Sequence, residues 1–302
     1  METGKRPMGA DDDPVTLRRT RDMTMPLYIV DAFAERPFAG NNAAVCFLDE
    51  PAPADWMQQV AAEMKLAETC FIRPDRDGYE LRWFTPVLEV DLCGHATLAS
   101  AHVMWESGRV AADEVIRFHT RSGLLTVEQG AEGIAMDFPA WIPEPFPEGK
   151  ELAGPLGAEP VSTWRHGMQG LVELENDRMV RNLDPDFARL MKYPLRGVIV
   201  TARSDDPAYD FVSRYFAPRA GVPEDPVTGS AHCCLTAFWA ERLKKKDMAG
   251  YQASARGGVV RVGLRGDRVR LAGRAVTVVR GEWCAALHAL NRSKASDALV
   301  NA

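Results

Sequence analysis

No run of 18 or more apolar residues occurs in this chain, so no segment reads as a membrane-crossing helix. There is no G-x-G-x-x-G after a strand-like run and no Walker A sequence, which removes the usual marks of dinucleotide and P-loop binding. The zinc spacings C-x-x-C and H-E-x-x-H are missing, and so is the nucleophile elbow G-x-S-x-G. Positive charge is not in excess either. Lys and Arg number 36 against 42 Asp and Glu, and a net charge of -6 argues against a nucleic-acid surface. The six cysteines, at 46, 70, 93, 233, 234 and 284, show no disulfide framework and lie in or beside apolar segments. They read as buried thiols in a reducing, cytoplasmic setting. Residues 1–24 are rich in Asp and Arg and lack the apolar core of a secretory signal, so a disordered extension is expected there.

What is present is ordinary globular composition, 46% hydrophobic and 26% charged over 302 residues, enough for two domains. Apolar strand-like runs begin at Pro26–Val30 and Ala43–Leu48. A helix follows, with Asp55 as its expected cap and Trp56, Val60, Ala61 and Met64 on one face. Further strands are expected at 66–72 and 81–84, and a meander at 116–119, 124–127 and 134–138, with Gly turns between. Prolines at 139, 143, 145, 147, 155 and 160 suggest a boundary. Halves at 25–140 and 141–282 follow, with 283–302 packing back on the first. In the second half, strands are expected at 170–175, 197–202, 210–216, 258–262, 268–271 and 275–280, and a short helix near 184–191. Strands in runs around one helix per half give an α+β class.

The chain is organised around Asp91-Leu-Cys-Gly-His-Ala-Thr97 and its echo Pro226-Val-Thr-Gly-Ser-Ala-His232. With the glycines in register, Cys93 matches Thr228, Gly94 matches Gly229 and His95 matches Ser230. Each copy follows an aromatic-x-Pro, Phe84-Thr-Pro86 and Phe216-Ala-Pro218, and each runs into an alanine-rich helical segment. A helix start carries unpaired N–H donors and partial positive charge, so two facing starts would clamp an anion. The duplication predicts a pseudo-twofold molecule with its site between the halves.

Several chemistries compete for that site. His95, Cys93, His232, Cys233 and Cys234 cluster around the turns, but adjacent cysteines on a helix point apart, and no metal is expected. A triad of Ser230, His95 and Asp225 is formally available, without its elbow sequence. Carbon-acid chemistry suits the residues better. A carboxylate base can remove a proton beside a carbonyl when fixed N–H donors hold the resulting charge. Glu68 is the candidate base. It stands in an apolar stretch between Ala67 and Phe71, where a solvated face is the commoner state of a carboxylate and an inward one implies a purpose.

The motifs Val30-Asp-Ala-Phe33, Phe38-Ala-Gly-Asn41, Ala67-Glu-Thr-Cys-Phe71, Arg82-Trp-Phe-Thr-Pro86, Asp91–Thr97 and Phe216–His232 resemble the PhzF family of phenazine-biosynthesis-like isomerases, in the family's order. The resemblance implies a diaminopimelate-epimerase-like fold: two similar, pseudo-twofold-related domains, each a curled, mostly antiparallel sheet around a central helix. It also implies a cofactor-independent isomerase, a homodimer, acting on a small anionic, carboxylate-bearing metabolite, cyclic or acyclic. By position, Glu68 is the proton-shuttling acid/base, and His95 and Asp225 are its catalytic partners. Ser230, with Gly94, Gly229, Thr228 and Cys93, lines the substrate site. Related epimerases face two cysteines across the cleft; here Thr228 takes the second place, and its hydroxyl is far too weak an acid for that role. An epimerase or dehydratase working through Cys93, and a silent small-molecule-binding protein, are the alternatives. Asn42 stands where the family usually has proline, and Ala67 where it often has serine.

Overall fold

The structure, a computed structural model, describes residues 24–284; most of the expected extension and of the terminal 283–302 segment lies outside the described residues. The first half runs β1 (Met25–Ala32), β2 (Asn41–Phe47), α1 (Ala54–Met64), β3 (Glu68–Asp75), β4 (Gly78–Phe84), β5 (Glu89–Val90), α2 (Gly94–Glu106), β6 (Ile116–Thr120), β7 (Gly123–Gly130) and β8 (Gly133–Pro139). The second runs β9 (Glu144–Pro145), α3 (Ala153–Leu156), β10 (Ser162–His166), β11 (Gln169–Glu173), α4 (Asp177–Arg181), α5 (Phe187–Leu190), β12 (Gly197–Arg203), β13 (Phe211–Phe216), α6 (Gly229–Leu243), β14 (Asp247–Gln252), β15 (Gly258–Arg265) and β16 (Arg268–Gly273). The strand β17 (Ala275–Trp283) closes the described chain.

The strand pairings repeat. In the first half β2–β3 is parallel, β3–β4 antiparallel and β4–β6 parallel, leading into the β6–β7–β8 meander. In the second, β11–β12 is parallel, β12–β13 antiparallel and β13–β14 parallel, leading into β14–β15–β16. The halves are stitched by β8 against β16, and by β17, which crosses back to pair with β1. The fold is α+β, with two pseudo-twofold-related units of mostly antiparallel sheet.

Each unit wraps one helix. From His95 to Ala101, and again at Val103 and Met104, α2 is buried; α6 is buried from Ala231 to Ala240. A helix enclosed on all sides must be apolar on all sides, which the runs Ala96–Met104 and Ala231–Ala240 largely are. Ala96, Ala99 and Ala101 let the strands approach α2 closely, and a fully buried side chain such as Leu98 contributes roughly 2–3 kcal/mol.

The elements depart from the sequence expectations at several points. Pro53 holds the N-cap of α1 without a side-chain bond, while Asp55 lies in the first turn and accepts from its neighbour Trp56 N–H at 3.0 Å. Met57, not Met64, completes the buried face. The strands β10 and β14 and the helix α4 were not anticipated. In β14, Asp-Met-Ala-Gly-Tyr-Gln lacks the branched residues that mark a strand, and pairing with β13 and β15 overrides that weak propensity. Five of the cysteines are buried as expected, but Cys284 is exposed.

Candidate active site

The two helix starts meet. Cys93 and Thr228 occupy the N-caps of α2 and α6 in extended conformations, and neither side chain caps its own helix. A Cβ on Gly94 would lie 3.3 Å from the Cα of Gly229, and one on Gly229 would lie 3.2 Å from the Cα of Gly94. Glycine at both places lets the two backbones come together, since a Cβ at either would press on the facing Cα more tightly than ordinary van der Waals contact. In both copies a side chain four residues on bonds the N-cap carbonyl: Thr97 Oγ1 to Cys93 O at 2.6 Å and His232 Nδ1 to Thr228 O at 2.9 Å. The loops before the helices are anchored alike, by paired bonds from Arg82 to Glu89 (2.7 and 2.8 Å) and from Arg214 to Glu224 (2.7 and 2.9 Å). The first turns of both helices, with their unpaired N–H groups, therefore lie side by side, a place disposed to hold negative charge.

Glu68 opens β3 and turns inward, its side chain 17% exposed. Its Oε2 lies 3.0 Å from Nε2 of His95, which is buried on the first turn of α2. The two atoms are within interaction distance, and neither has a hydrogen-bond partner elsewhere in the protein. Such a pair is free to redirect towards a ligand. Asp225 sits on the loop before α6, where its Oδ2 accepts from Thr228 Oγ1 at 2.5 Å and its Oδ1 from Asn41 Nδ2 at 2.7 Å. Ser230 is half-buried in the first turn of α6. All eight residues singled out in the sequence thus gather around the two helix starts.

The electrostatics follow from burial and charge. Loss of hydration is the main cause that raises the Asp225 carboxyl, to about 6; His95 opposes it, Glu68 adds to it, and Thr228 and Asn41 partly offset it. For His95, burial alone would lower the pKa, but the carboxylates of Glu68 and then Asp225 together outweigh it and the net shift is upward. Burial, and next the charge of Glu68, push the Cys93 thiol well above its ordinary value. His232 is driven down to about 4 by burial and stays neutral. Glu68, Cys93 and His95 bring three donor atoms within 4.8 Å of one another. A metal would require the thiolate, which this environment disfavours, so the donor set suits proton handling better than ligation.

Two residues of the cluster escaped the sequence reading as site residues. Asn41, in the first position of β2, reaches Asp225, Val227 O at 3.0 Å and His95 Nδ1 at 3.2 Å. Gln252, at the end of β14, accepts from Thr228 N at 2.9 Å and donates to Asp225 O at 2.6 Å, fixing the second turn. The Gly40-Asn41 pair reads locally as a turn, and its partners lie up to 186 residues away.

The pseudo-symmetry also exposes an asymmetry. Thr69 pairs with Phe84 and Val198 with Phe216, so Gly197 is the counterpart of Glu68. At Gly197 a Cβ would lie 2.1 Å from Tyr215 Oη, and the Tyr215 ring fills the space a side chain would take. Its hydroxyl donates to Gln169 Oε1 at 2.8 Å. One half carries a carboxylate at this place; the other carries a tyrosine hydroxyl that burial pushes up to about 12 and that is engaged with Gln169.

The chain matches the family described as phenazine biosynthesis-like protein over residues 30–281. It is 49% identical to an uncharacterized isomerase of Halalkalibacterium halodurans over 263 residues, covering 86% of this chain and 98% of that one. A crystal structure of a PhzF-family phenazine biosynthesis protein from Enterococcus faecalis superposes with a TM-score of 0.83 at 41% identity, over 86% of this chain and 99% of that one. A hydroxyproline epimerase from Agrobacterium vitis shares the fold alone, with a TM-score of 0.58 at 13% identity over 86% of this chain and 92% of that one.

Proposed function

The chain belongs to the phenazine biosynthesis-like protein family and is an isomerase, and on that premise we propose that it moves a proton on a small carboxylate-bearing metabolite through Glu68. The Glu68 carboxylate takes a proton from a carbon conjugated to a carbonyl or carboxylate. The electron pair left behind delocalises away from that carbon, and the N–H groups at the starts of α2 and α6 hold the negative charge. Glu68 then returns the proton to a second carbon of the same system, so no cofactor is consumed. His95 and Asp225 orient the polar groups of the substrate, and Ser230, Thr228 and Cys93 with the amides of Gly94 and Gly229 line its anionic end.

The observation that carries this reading is the Glu68–His95 contact at 3.0 Å, in which neither atom has another partner, beside the touching helix starts. The Gly197–Tyr215 arrangement supports it, since an acid/base on one side suits a proton returned to the face it left, not two-base inversion. The raised Cys93 thiol and the Thr228 hydroxyl committed to Asp225 weigh against the thiol route. Glu68→Gln tests the assignment. Incubation with a panel of cyclic and acyclic carboxylates in heavy water should give deuterium at carbon with the wild type and none with the variant, which should still bind. Undiminished exchange by Glu68→Gln would refute the role. The same reading takes the halves at 25–140 and 141–282 and a homodimer working in the cytoplasm; light scattering in solution tests the dimer.

A further inference from the structure

Asn41 is fully buried, and the two N–H groups of its amide nitrogen have two firm acceptors, Asp225 Oδ1 at 2.7 Å and Val227 O at 3.0 Å, while the same nitrogen lies 3.2 Å from His95 Nδ1. The amide cannot be turned over. At pH 7 its oxygen would then meet the Val227 carbonyl, which has no proton to give, and an Asp225 carboxyl that is mostly ionised. An amide nitrogen has no lone pair to accept with, so a proton on His95 Nδ1 would point at a group that cannot receive it. The other neighbour of Nδ1 is the Cys93 thiol at 3.5 Å, which burial keeps protonated, so it can donate to Nδ1, and whose sulfur is only a weak acceptor.

We infer that Asn41 is a positioning residue that keeps Nδ1 of His95 unprotonated, and so places the proton of the neutral ring on Nε2, facing Glu68. The inference rests on the role given to Glu68 above and deepens it. With Nε2–H turned towards the base, the imidazole can donate to a carboxylate or to a substrate oxygen without first changing tautomer. The groups that face the ring are Glu68 from β3, Asp225 from the loop before α6, Cys93 at the N-cap of α2, and Asn41 itself. The two carboxylates favour a second proton on the ring, and Asn41 opposes its entry at Nδ1. An acceptor in place of Asn41 would remove that opposition.

The test is the nitrogen spectrum of the resting protein. The full chain, uniformly 15N-labelled at pH 7, is observed by long-range proton–nitrogen correlation, with the His95 ring assigned by its loss in His95→Gln. Wild type should show a pyrrole-type Nε2 and a pyridine-type Nδ1. In Asn41→Asp, Nδ1 should shift to the pyrrole type as it gains a proton. A wild-type ring protonated at Nδ1, whether neutral or cationic, would overturn the inference. So would an Asn41→Asp spectrum with both ring nitrogens unmoved. The wild-type measurement decides the matter even if the variant does not fold. It needs no turnover, so a failure of the Glu68 assignment in the exchange assay leaves this result separately readable.

Discussion

Arg256 ties the loop that delivers Asn41 to the body, and removing it gives a worked test of the structure. Its guanidinium donates to Asp31 Oδ1 at 2.6 Å, to Ala39 O at 3.0 Å and, through Nε, to Gly40 O at 2.8 Å. The Asp31 side chain is only 2% exposed, and its other oxygen accepts from Phe38 N at 2.7 Å; the Arg256 side chain is 29% exposed. Arg256→Ala would strand a buried carboxylate. Removing one partner of such a pair costs about 3–5 kcal/mol, and because water reaches part of Arg256 the lower end, about 3 kcal/mol, applies. That is a large share of the roughly 5–15 kcal/mol typical of folded proteins. At roughly 2.1 cal/mol/K of unfolding entropy per residue it corresponds to a fall in Tm of about 5 °C for a chain of this size. Adding Asp31→Asn removes the stranded charge, so the double variant should be more stable than Arg256→Ala by at least about 1 kcal/mol. Chemical denaturation of the wild type, both single variants and the double variant measures this. Amide exchange at Gly40, which donates to Gly257 O at 2.7 Å, should quicken in Arg256→Ala. An Arg256→Ala protein within about 1 kcal/mol of wild type, or a double variant no better than it, would refute the reasoning.

Other consequences can be checked alongside. The Asp225 carboxyl is raised on folding to about 6, so the native state holds an extra proton between roughly pH 4 and 6 and this residue's contribution to stability falls as pH rises through that window. Asp225→Asn removes that slope, and its stability relative to wild type should improve by on the order of 3 kcal/mol between pH 4 and pH 7 in urea titrations; parallel curves would contradict the assignment. Because the Cys93 thiol is buried and held protonated, Cys93→Ser should retain deuterium exchange within about tenfold of wild type; its complete loss would favour the thiol route. Gly197→Ala forces a methyl against Tyr215 and should lower stability by about 1–3 kcal/mol, with Tyr215→Ala in the same chain easing the clash; an unchanged denaturation midpoint in the single variant would sink the proposed packing.

The duplicated glycine turns were legible in the sequence because a close backbone approach at a helix start leaves a local signature: a glycine between a polar cap position and an alanine-rich run. Glu68, His95, Asp225 and Ser230 could be singled out because each lies in a short motif of its own. The strand β17, by contrast, looks locally like one more strand of the second half, and only its register against β1 reveals that it closes the first. Asn41 and Gln252 had no local mark as site residues, since their function is to bond groups brought near by the crossing of two halves.

Periodicity, glycine placement and charge therefore determined that this chain builds two like units, each around a buried helix, and which side chains stand at the helix starts. Tertiary structure alone decided that the two starts touch, that Asn41 faces the His95 ring, and that Tyr215 fills the second half's counterpart of the Glu68 position. The physical reason is distance along the chain. Local preferences act over a few residues, whereas hydrogen bonds spanning more than 180 residues exist only once both sheets have closed.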